Sequence, residues 1–249
     1  MDAVVEHAGK QVTFCDANPK DYVEGMLLEG TWYELQNLEF IRSLQCGGTY
    51  VDIGAFIGTH SLFFSLFCPA EKVYSFEVNP RAYEKLRKNL AANNASNVHV
   101  YNLGLSDDVG GAVFHETNET NRGASFLKGN EGETFVAPLD SLLIPDVRLM
   151  KVDVEGMELR VLKGAVRTLK TVEHLFVEMW SEAQSKDRDS EYTAPQVVEF
   201  LAEQGLMLQR ELASDRLYYF LRGGKLGELT FRSEKSQTLV WDESDQLEY

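Results

Sequence analysis

Strand-like and helix-like segments alternate along this chain from residue 49 onward. Runs rich in β-branched and aromatic residues are followed by polar turns and then by apolar residues at helical spacing. This alternation is typical of a mostly parallel sheet with helices on both faces. The pattern predicts an α/β fold of the Rossmann-like type that ends in an antiparallel strand.

The predicted elements can be placed along the chain. Five strands of the expected sheet span residues 49–54, 72–78, 97–105, 148–154 and 174–180. Helices follow the first, second, fourth and fifth of them, and the fourth strand's helix carries Leu159, Leu162, Val166 and Leu169 at helical spacing. Two extra strands are expected after the third, over residues 110–116 and 133–139. Residues 207–212 and 217–221 are predicted as a final antiparallel pair.

The length of 249 residues and the hydrophobic content of 44% allow one domain with a substantial core. We expect an N-terminal extension over residues 1–45 that packs on this core. The Rossmann-like domain is predicted over residues 46–222, and an acidic C-terminal segment over residues 223–249.

The formal net charge of −15 is informative mainly through what it excludes. A phosphate backbone is bound by clustered Lys and Arg side chains, and a strongly acidic chain repels it. The densest basic stretch, residues 81–88, scatters its charges around a helix and is interpreted as a solvated face. We therefore expect no nucleic-acid partner.

Cysteine usage and hydropathy indicate the compartment. Three widely spaced cysteines without a CxxC pair suit a reducing environment and are poor material for a disulfide framework or a zinc site. The chain has no basic start followed by an apolar stretch, and no apolar run long enough to cross a bilayer. These features predict a cytoplasmic protein without a membrane span; the oligomeric state is left open.

The most informative motif is the turn after the first strand, Asp52-Ile53-Gly54-Ala55-Phe56-Ile57-Gly58. Glycine at such a turn lets the backbone bend tightly and lets a ligand approach without a Cβ in the way. Glu77 follows Gly54 by about twenty positions, at the end of the next strand, where an acid is suited to accept hydrogen bonds from both ribose hydroxyls. The two elements predict a nucleoside cofactor at the carboxyl ends of adjacent strands.

The spacing within this turn separates two kinds of cofactor. Nicotinamide and flavin cofactors are bound by a GxGxxG loop, whereas this loop is GxxxG and is preceded by Asp52. A carboxylate beside a pyrophosphate is electrostatically unfavourable in a partly desolvated site. S-adenosylmethionine has no phosphate and carries a sulfonium and an ammonium, so nearby acids favour it. The loop therefore favours S-adenosylmethionine over a dinucleotide.

Five motifs of the chain resemble one family in their order and spacing. They are YVDIGAFIGTHSLFF, FEVNPRAYEKLRKNLAANN, NLGLSD, KVDVEGMELRVLKGA and LFVEMW, within about residues 30–180. On these motifs the chain resembles the FkbM-type methyltransferases, and KVDVEG followed by VLKGA is the most specific part. Two positions depart from the family pattern: Phe56 stands where Asn is usual, and Val78 where Pro is common.

The resemblance implies a class I methyltransferase fold and transfer of a methyl group from S-adenosylmethionine, most often to oxygen. It implies that residues 102–106 lie beside the adenine and that Asp153 lies near the methionine end. The complete predicted cofactor set is Asp52, Gly54, Ala55, Phe56, Gly58, Thr59, His60, Glu77, Val78, Asn79, Asn102, Gly104, Leu105, Ser106 and Asp153.

Acidic residues mark the ends of the fourth and fifth strands, where a methyl acceptor is expected. Asp153 and Glu155 share a strand face if the strand extends that far, and Glu178 ends the fifth strand. Such a cluster could orient a sulfonium, act as a general base, or hold Mg²⁺ through oxygen ligands. Glu155 could instead only cap the following helix. We predict Asp153, Glu155 and Glu178 as catalytic residues and leave a metal role open.

Two other functions stay open from the sequence. The chain could be a nicotinamide-dependent oxidoreductase, or a scaffold that keeps the cofactor fold without turnover. For the methyltransferase interpretation, the expected acceptor is a hydroxyl group of a small molecule, a sugar or another natural product. Fold alone does not specify which acceptor is used.

Overall fold

The computed structural model describes residues 1–117, 120, 123, 125–128, 132–180, 192–212 and 216–225. The strands are β1 (Ala3–His7), β2 (Lys10–Phe14), β3 (Gly48–Ile53), β4 (Ala70–Phe76), β5 (Val98–Tyr101), β6 (Gly104–Leu105), β7 (Gly110–His115), β8 (Phe126–Lys128), β9 (Thr134–Ala137), β10 (Val147–Val152), β11 (His174–Glu178), β12 (Leu206–Glu211) and β13 (Leu217–Arg222). The helices are α1 (Tyr22–Leu28), α2 (Leu35–Ser43), α3 (Thr59–Phe67), α4 (Pro80–Ala92), α5 (Glu158–Lys163), α6 (Val166–Leu169) and α7 (Ala194–Glu203), with a 3-10 turn at Leu139–Leu142.

Seven strands form the central sheet in the order β12-β13-β11-β10-β3-β4-β5. The pairs from β11 through β10, β3 and β4 to β5 are all parallel. β13 runs antiparallel to both of its neighbours, β11 and β12. The predicted α/β fold, with a mostly parallel sheet and an antiparallel C-terminal strand, is confirmed.

Helices cover both faces of this sheet, because successive strand residues point to opposite sides. On one face of β3, Tyr50 packs edge-on against Phe64 of α3, with ring centroids 5.4 Å apart. On the other face, Val51 belongs to the apolar cluster that includes Leu162 of α5 and Leu201 of α7. A buried core therefore lies on each side of the central strands.

The segment predicted as an N-terminal extension packs on the α3 side of the sheet. Trp32 is 1% exposed and lies edge-on to Phe63, with ring centroids 5.4 Å apart. The β1–β2 hairpin is joined to α4 by Asn89 Oδ1, which accepts a hydrogen bond from the Cys15 N–H at 2.7 Å. The predicted domain boundaries stay a prediction. Of the acidic segment predicted over residues 223–249, all beyond residue 225 lies outside the described residues.

The predicted third strand, over residues 97–105, is wrong in its extent. β5 ends at Tyr101, and β6 belongs to a second sheet of order β6-β9-β7-β8. The side-chain amide of Asn102 donates hydrogen bonds to the carbonyl oxygens of Glu77 and Val78, at 2.8 and 3.0 Å. These bonds turn the chain across the end of β4, so the strand stops. The two extra strands predicted after it are present as β7 and β9.

The single helix predicted after the fourth strand is divided into α5 and α6. The carboxylate of Asp140, from the 3-10 turn, accepts hydrogen bonds from the N–H groups of Arg167 and Thr168, at 2.6 and 2.9 Å. The first N–H groups of a helix need acceptors from outside the helix. Asp140 provides these acceptors. A second helix, α6, therefore begins at a point where the sequence pattern predicted that one helix would continue.

Candidate active site

The turn after β3 brings three strand ends together. The N–H groups of Gly54 and Ala55 donate to the carbonyl oxygen of Phe76, at 3.0 and 2.9 Å, which holds the turn over the end of β4. Gly54 has a φ of +79°, and a Cβ at this position would lie 1.7 Å from the carbonyl oxygen of Asp153. Only glycine fits a backbone that is both left-handed and in contact with the end of β10.

Asp52 lies beneath this turn. Its side chain is fully buried, and its Oδ2 accepts a hydrogen bond of 2.5 Å from the Ser61 hydroxyl. That hydroxyl lies 2.8 Å from the hydroxyl of Ser75 in β4, which ties α3 to both strands. Asp52 therefore contributes negative charge from below the cleft and positions the start of α3.

Glu77 stands at the end of β4 with both carboxylate oxygens engaged. Oε2 accepts a hydrogen bond from the Phe56 N–H and Oε1 accepts one from the Asn79 N–H, each at 2.7 Å. Burial raises the pKa of Glu77 to about 7, although the two N–H donors oppose the shift. The strand-end acid thus faces the Gly54 turn, as the sequence predicted.

The departure from the family pattern at Phe56 has a structural consequence. Phe56 has a φ of +49°, in the left-handed region that non-glycine residues rarely adopt. Asn tolerates this region better than other side chains, which explains why Asn suits the position. In this chain the N–H bond to Glu77 and the partly buried ring hold Phe56 there.

Lys151 is a site residue that our sequence analysis missed. It is 3% exposed, its Nζ lies 2.9 Å from Asp153 Oδ2, and Asp52 Oδ1 is 4.0 Å away. Burial acts to raise the pKa of Asp153, but the Lys151 ammonium outweighs it and the pKa falls to about 2. The sequence did contain a feature that could have identified Lys151: a lysine within the apolar run of β10, two positions before Asp153.

Glu178 lies beside Asp153 at the end of β11. Arg216, from the loop before β13, donates a hydrogen bond of 2.6 Å to Glu178 Oε1. Burial and the neighbouring Asp153 carboxylate raise the pKa of Glu178 well above its ordinary value. Asp153 and Glu178 are also hydrogen-bonded to each other. In this pair the carboxyl group of Glu178 is protonated and the carboxylate of Asp153 is negatively charged. No local sequence pattern pointed to Arg216.

Glu155 and Glu158 have separate tasks. β10 ends at Val152, so Asp153 and Glu155 do not share a strand face; a left-handed Glu155, at φ +52°, turns the chain instead. Glu155 Oε2 accepts a hydrogen bond of 3.2 Å from the Trp180 indole, and Glu158 Oε1 accepts one of 2.9 Å from the Gly156 N–H. Glu158 therefore braces this turn, and capping by Glu155 stays a prediction.

These elements surround a cleft of about 260 Å³. Most of the predicted site residues line it, namely Gly54, Ala55, Phe56, Thr59, His60, Glu77, Val78, Asn79, Gly104, Leu105, Asp153, Glu155 and Glu178. Lys151 and Arg216 add positive charge, and Tyr22 and Tyr33 contribute aromatic rings from the N-terminal segment. The cleft is therefore a single concave site with acids at the ends of three parallel strands.

Four predicted site residues do not line the cleft: Asp52, Gly58, Asn102 and Ser106. Gly58 has a φ of +92°, and a Cβ there would lie 2.4 Å from Leu86 Cδ1, so it serves the packing of α4. Asn102 is exposed and bonded to backbone carbonyls, and the Ser106 hydroxyl donates to Asp107 at 3.1 Å. Asn79, although in the cleft, accepts a hydrogen bond from the Arg81 N–H and caps α4.

The strand order, the glycine turn and the acid after β4 define the class I methyltransferase fold. The crystal structure of methyltransferase FkbM from Methylobacillus flagellatus KT shares this fold, with a TM-score of 0.53 and 19% sequence identity. The likeness covers 80% of this chain and 52% of that chain.

The chain belongs to the FkbM methyltransferase family. The model of the family's methyltransferase FkbM domain matches residues 52–206 of this chain. Hexuronic acid methyltransferase AglP of Haloferax volcanii is 32% identical over 144 residues, which are 55% of this chain and 57% of AglP. Methyltransferase sdnD of Sordaria araneosa is 30% identical over 212 residues, covering 70% of this chain and 79% of sdnD. The chain thus spans little more than half the length of AglP.

The described part of the chain contains no helix that is both long and apolar enough to cross a membrane.

Proposed function

We propose that this chain transfers a methyl group from S-adenosylmethionine to a hydroxyl group of a sugar or another hydroxylated small molecule. The observation that carries the proposal is the relationship between Glu77 and the Gly54 turn. The acid at the end of β4 accepts the Phe56 N–H of that turn at 2.7 Å, inside a cleft lined by further acids. Membership of the FkbM methyltransferase family supports the same reaction.

The residues of the cleft fit this cofactor. The contact of the Gly54 backbone with the Asp153 carbonyl leaves no room for a side chain, and it holds the turn and the acidic end of β10 against the same cleft. Each oxygen of Glu77 already accepts one N–H, and a carboxylate oxygen has a second lone pair for a ribose hydroxyl. Asp153 and Glu155 place negative charge where a sulfonium and an ammonium are favoured. A pyrophosphate would be repelled by the same acids, which disfavours a dinucleotide.

The residues at the ends of β10 and β11 would orient the reacting groups. When bound, S-adenosylmethionine supplies a methyl group activated by its positively charged sulfur. Asp153, kept ionised by Lys151, would attract positive charge, and protonated Glu178 would hold Asp153 in place. Holding an acceptor oxygen in line with the methyl carbon contributes roughly 7–11 kcal/mol to lowering the barrier.

A magnesium ion fits this cluster poorly. The carboxylate oxygens of Asp153, Glu155 and Glu178 lie within 4.8 Å of one another, which resembles an oxygen-ligand site. However, Lys151 Nζ lies 2.9 Å from Asp153, and Arg216 lies 2.6 Å from Glu178. Two resident cations and a shared proton already neutralise the acids. We therefore assign the positioning of the acceptor to the side chains, without a metal.

The aromatic rim of the cleft supports a sugar acceptor. The rings of Tyr22 and Tyr33 meet edge-on, with centroids 6.2 Å apart, and Tyr22 is 59% exposed. Exposed aromatic rings combine an apolar face with a polar hydroxyl, which suits the alternating C–H and O–H groups of a sugar. The relative AglP is named as a hexuronic acid methyltransferase, which is consistent with this class of acceptor.

Calorimetric titration and a transfer assay test the proposal. The protein should bind S-adenosylmethionine and its demethylated product at one site and show no heat with NAD. Incubated with S-adenosylmethionine and a panel of methyl hexosides and methyl hexuronides, it should add one methyl group, read by mass spectrometry. Binding of NAD alone would indicate an oxidoreductase, whereas cofactor binding without transfer to any of the panel would contradict the sugar acceptor.

A further inference from the structure

We propose that His60 is the catalytic base that accepts the proton of the acceptor hydroxyl, and that Glu34 is the residue that positions His60. This inference rests on the proposed methyl transfer and adds the proton acceptor for it. Neither residue was predicted as catalytic from the sequence. The pair joins the N-terminal segment to the first turn of α3, so it exists only in the folded chain.

The geometry of the pair carries the inference. His60 lines the cleft, its Nε2 lies 3.2 Å from Glu34 Oε2, and both side chains are more than nine-tenths buried. The other oxygen of Glu34 accepts a hydrogen bond of 3.2 Å from the side-chain amide of Asn37. The contact between Glu34 and Nε2 is electrostatic, because Nε2 has no hydrogen-bond partner among the described residues, and the nearby carboxylate favours a proton on Nε2. Nδ1 is then the nitrogen with a lone pair, as in other histidine bases oriented by a carboxylate.

The backbone at Glu34 supports a functional role. Glu34 has a φ of +54°, a left-handed conformation that is costly for a residue with a side chain. It precedes α2, where a carboxylate usually accepts helix N–H groups, yet its side chain makes no capping hydrogen bond. The chain keeps a strained residue whose carboxylate is directed to His60, and such strain clusters at active sites.

The acids that line the cleft are less suited to take a proton. Asp153 is paired with Lys151 at 2.9 Å. Glu178, which lies between Asp153 and Arg216, is already protonated. Glu77 accepts two backbone N–H groups, and Glu155 accepts the Trp180 indole. Histidine is the side chain used most often as a general base. Among the described residues that line the cleft, His60 is therefore the group best suited to accept the proton.

The step balances in atoms and charge. The acceptor O–H proton moves to Nδ1 of His60, and an oxygen lone pair forms the new bond to the methyl carbon. The carbon–sulfur bond breaks with its electron pair on sulfur, which turns the sulfonium into a neutral thioether. The positive charge ends on the imidazolium, beside the Glu34 carboxylate at 3.2 Å.

The test compares His60→Gln and Glu34→Gln with a matched control. His7 and Glu39 form a second histidine–glutamate pair, with His7 Nε2 2.6 Å from Glu39 Oε1, and neither lines the cleft. With the methyl glycoside that the wild type methylates fastest, kcat of His60→Gln should fall about 10²-fold or more. Glu34→Gln should also lower kcat, and Glu39→Gln should match the wild type. Calorimetric affinity for S-adenosylmethionine should change much less than kcat in all three.

A second measurement does not depend on turnover. Ring ¹⁵N chemical shifts of the wild type should place the proton of neutral His60 on Nε2, and Glu34→Gln should weaken that preference. Wild-type turnover in His60→Gln, or a proton on Nδ1 in the wild type, would show that His60 is not the base. If the wild type binds no S-adenosylmethionine, the proposed function is wrong and this inference falls with it. Calorimetry on the wild type therefore distinguishes a failure of the proposed function from a failure of the assignment of His60 as the base.

Discussion

A Cβ on Gly54 would lie 1.7 Å from the backbone carbonyl oxygen of Asp153. This close approach joins the cofactor turn after β3 to the acidic end of β10, so the two halves of the cleft share one backbone contact. The Asp153 N–H donates to the carbonyl oxygen of Ile53 at 3.0 Å, which fixes the same juxtaposition from the other direction. A change at Gly54 must therefore move residues on both strands.

Gly54→Ala should separate steric exclusion from left-handed strain. The matched control is Gly9→Ala, because Gly9 has a φ of +76° with no neighbour within 4 Å of its added Cβ. Left-handed strain alone costs about 1–2 kcal/mol in both variants. Gly54→Ala should lose clearly more unfolding free energy than Gly9→Ala, together with S-adenosylmethionine binding. Equal losses in urea unfolding, with binding intact, would contradict the contact.

Glu77 should make stability depend on pH in a particular direction. Its pKa in the folded chain is about 7, above the ordinary 4.5, so the folded state binds the proton more tightly. The stabilisation from this proton is complete below pH 4.5 and is lost as the pH rises through 7. Relative to Glu77→Gln, which stays neutral, the wild type should therefore lose about 3 kcal/mol of unfolding free energy over that range.

Urea unfolding of both proteins across that pH range measures this difference, with Glu84→Gln on the exposed face of α4 as the control. A pH-independent difference between wild type and Glu77→Gln would show that folding does not shift the pKa of Glu77. In calorimetry, Glu77→Gln should also weaken S-adenosylmethionine binding by about 1.5–3 kcal/mol, the range for hydrogen bonds to a charged group.

Lys151→Met should destabilise the protein because it leaves Asp52 and Asp153 without their buried cation. Breaking a buried ion pair costs about 3–5 kcal/mol. The low pKa of Asp153, about 2 instead of 3.8, gives stability that is present above pH 3.8 and is lost as the pH falls through 2. The deficit of Lys151→Met should therefore be largest at neutral pH and shrink in acid.

Melting temperatures at several pH values test this prediction. The control is Lys88→Met, since Lys88 pairs with Asp16 at 2.8 Å on the exposed surface. Exposed pairs contribute little, so this variant should melt close to the wild type. A Lys151→Met protein as stable as the wild type at neutral pH would contradict the assigned charges.

Glu155 and Glu158 should respond oppositely to substitution. Glu158→Ala removes the acceptor of the Gly156 N–H and of the Tyr192 hydroxyl, and it should lower the unfolding free energy by about 1–3 kcal/mol. Glu155→Gln keeps the fold but changes the charge of the cleft, so it should reduce turnover at an unchanged melting temperature. A destabilised Glu155→Gln protein with full turnover would reverse the two assignments.

Methyl transfer should be insensitive to chelators. The acids at the ends of β10 and β11 are already neutralised by Lys151 and Arg216. Dialysis against EDTA should leave the initial rate with the chosen glycoside unchanged, and added Mg²⁺ should not raise it. A rate that falls with EDTA and returns with Mg²⁺ would identify Asp153, Glu155 and Glu178 as metal ligands instead.

From residue 49 onward, the sequence by itself determined the alternation of the main strands and helices and the positions of the glycine turn and Glu77. These features are local: strand alternation, helical spacing and turn glycines each act within a few residues. Where the sequence prediction failed, a distant contact decided. Asn102 ends β5 by bonding to the turn after β4, and Asp140 starts α6 from outside that helix.

Only the tertiary structure decided how the site is charged. Lys151 faces Asp52 because β10 and β3 are neighbours in parallel register, although the two residues are far apart in the chain. Arg216 reaches Glu178, and Glu34 reaches His60, across shorter but still non-local separations in the sequence. The sequence placed acids at the strand ends, but burial and partners determine which of them hold a charge or a proton, and both depend on the packed fold.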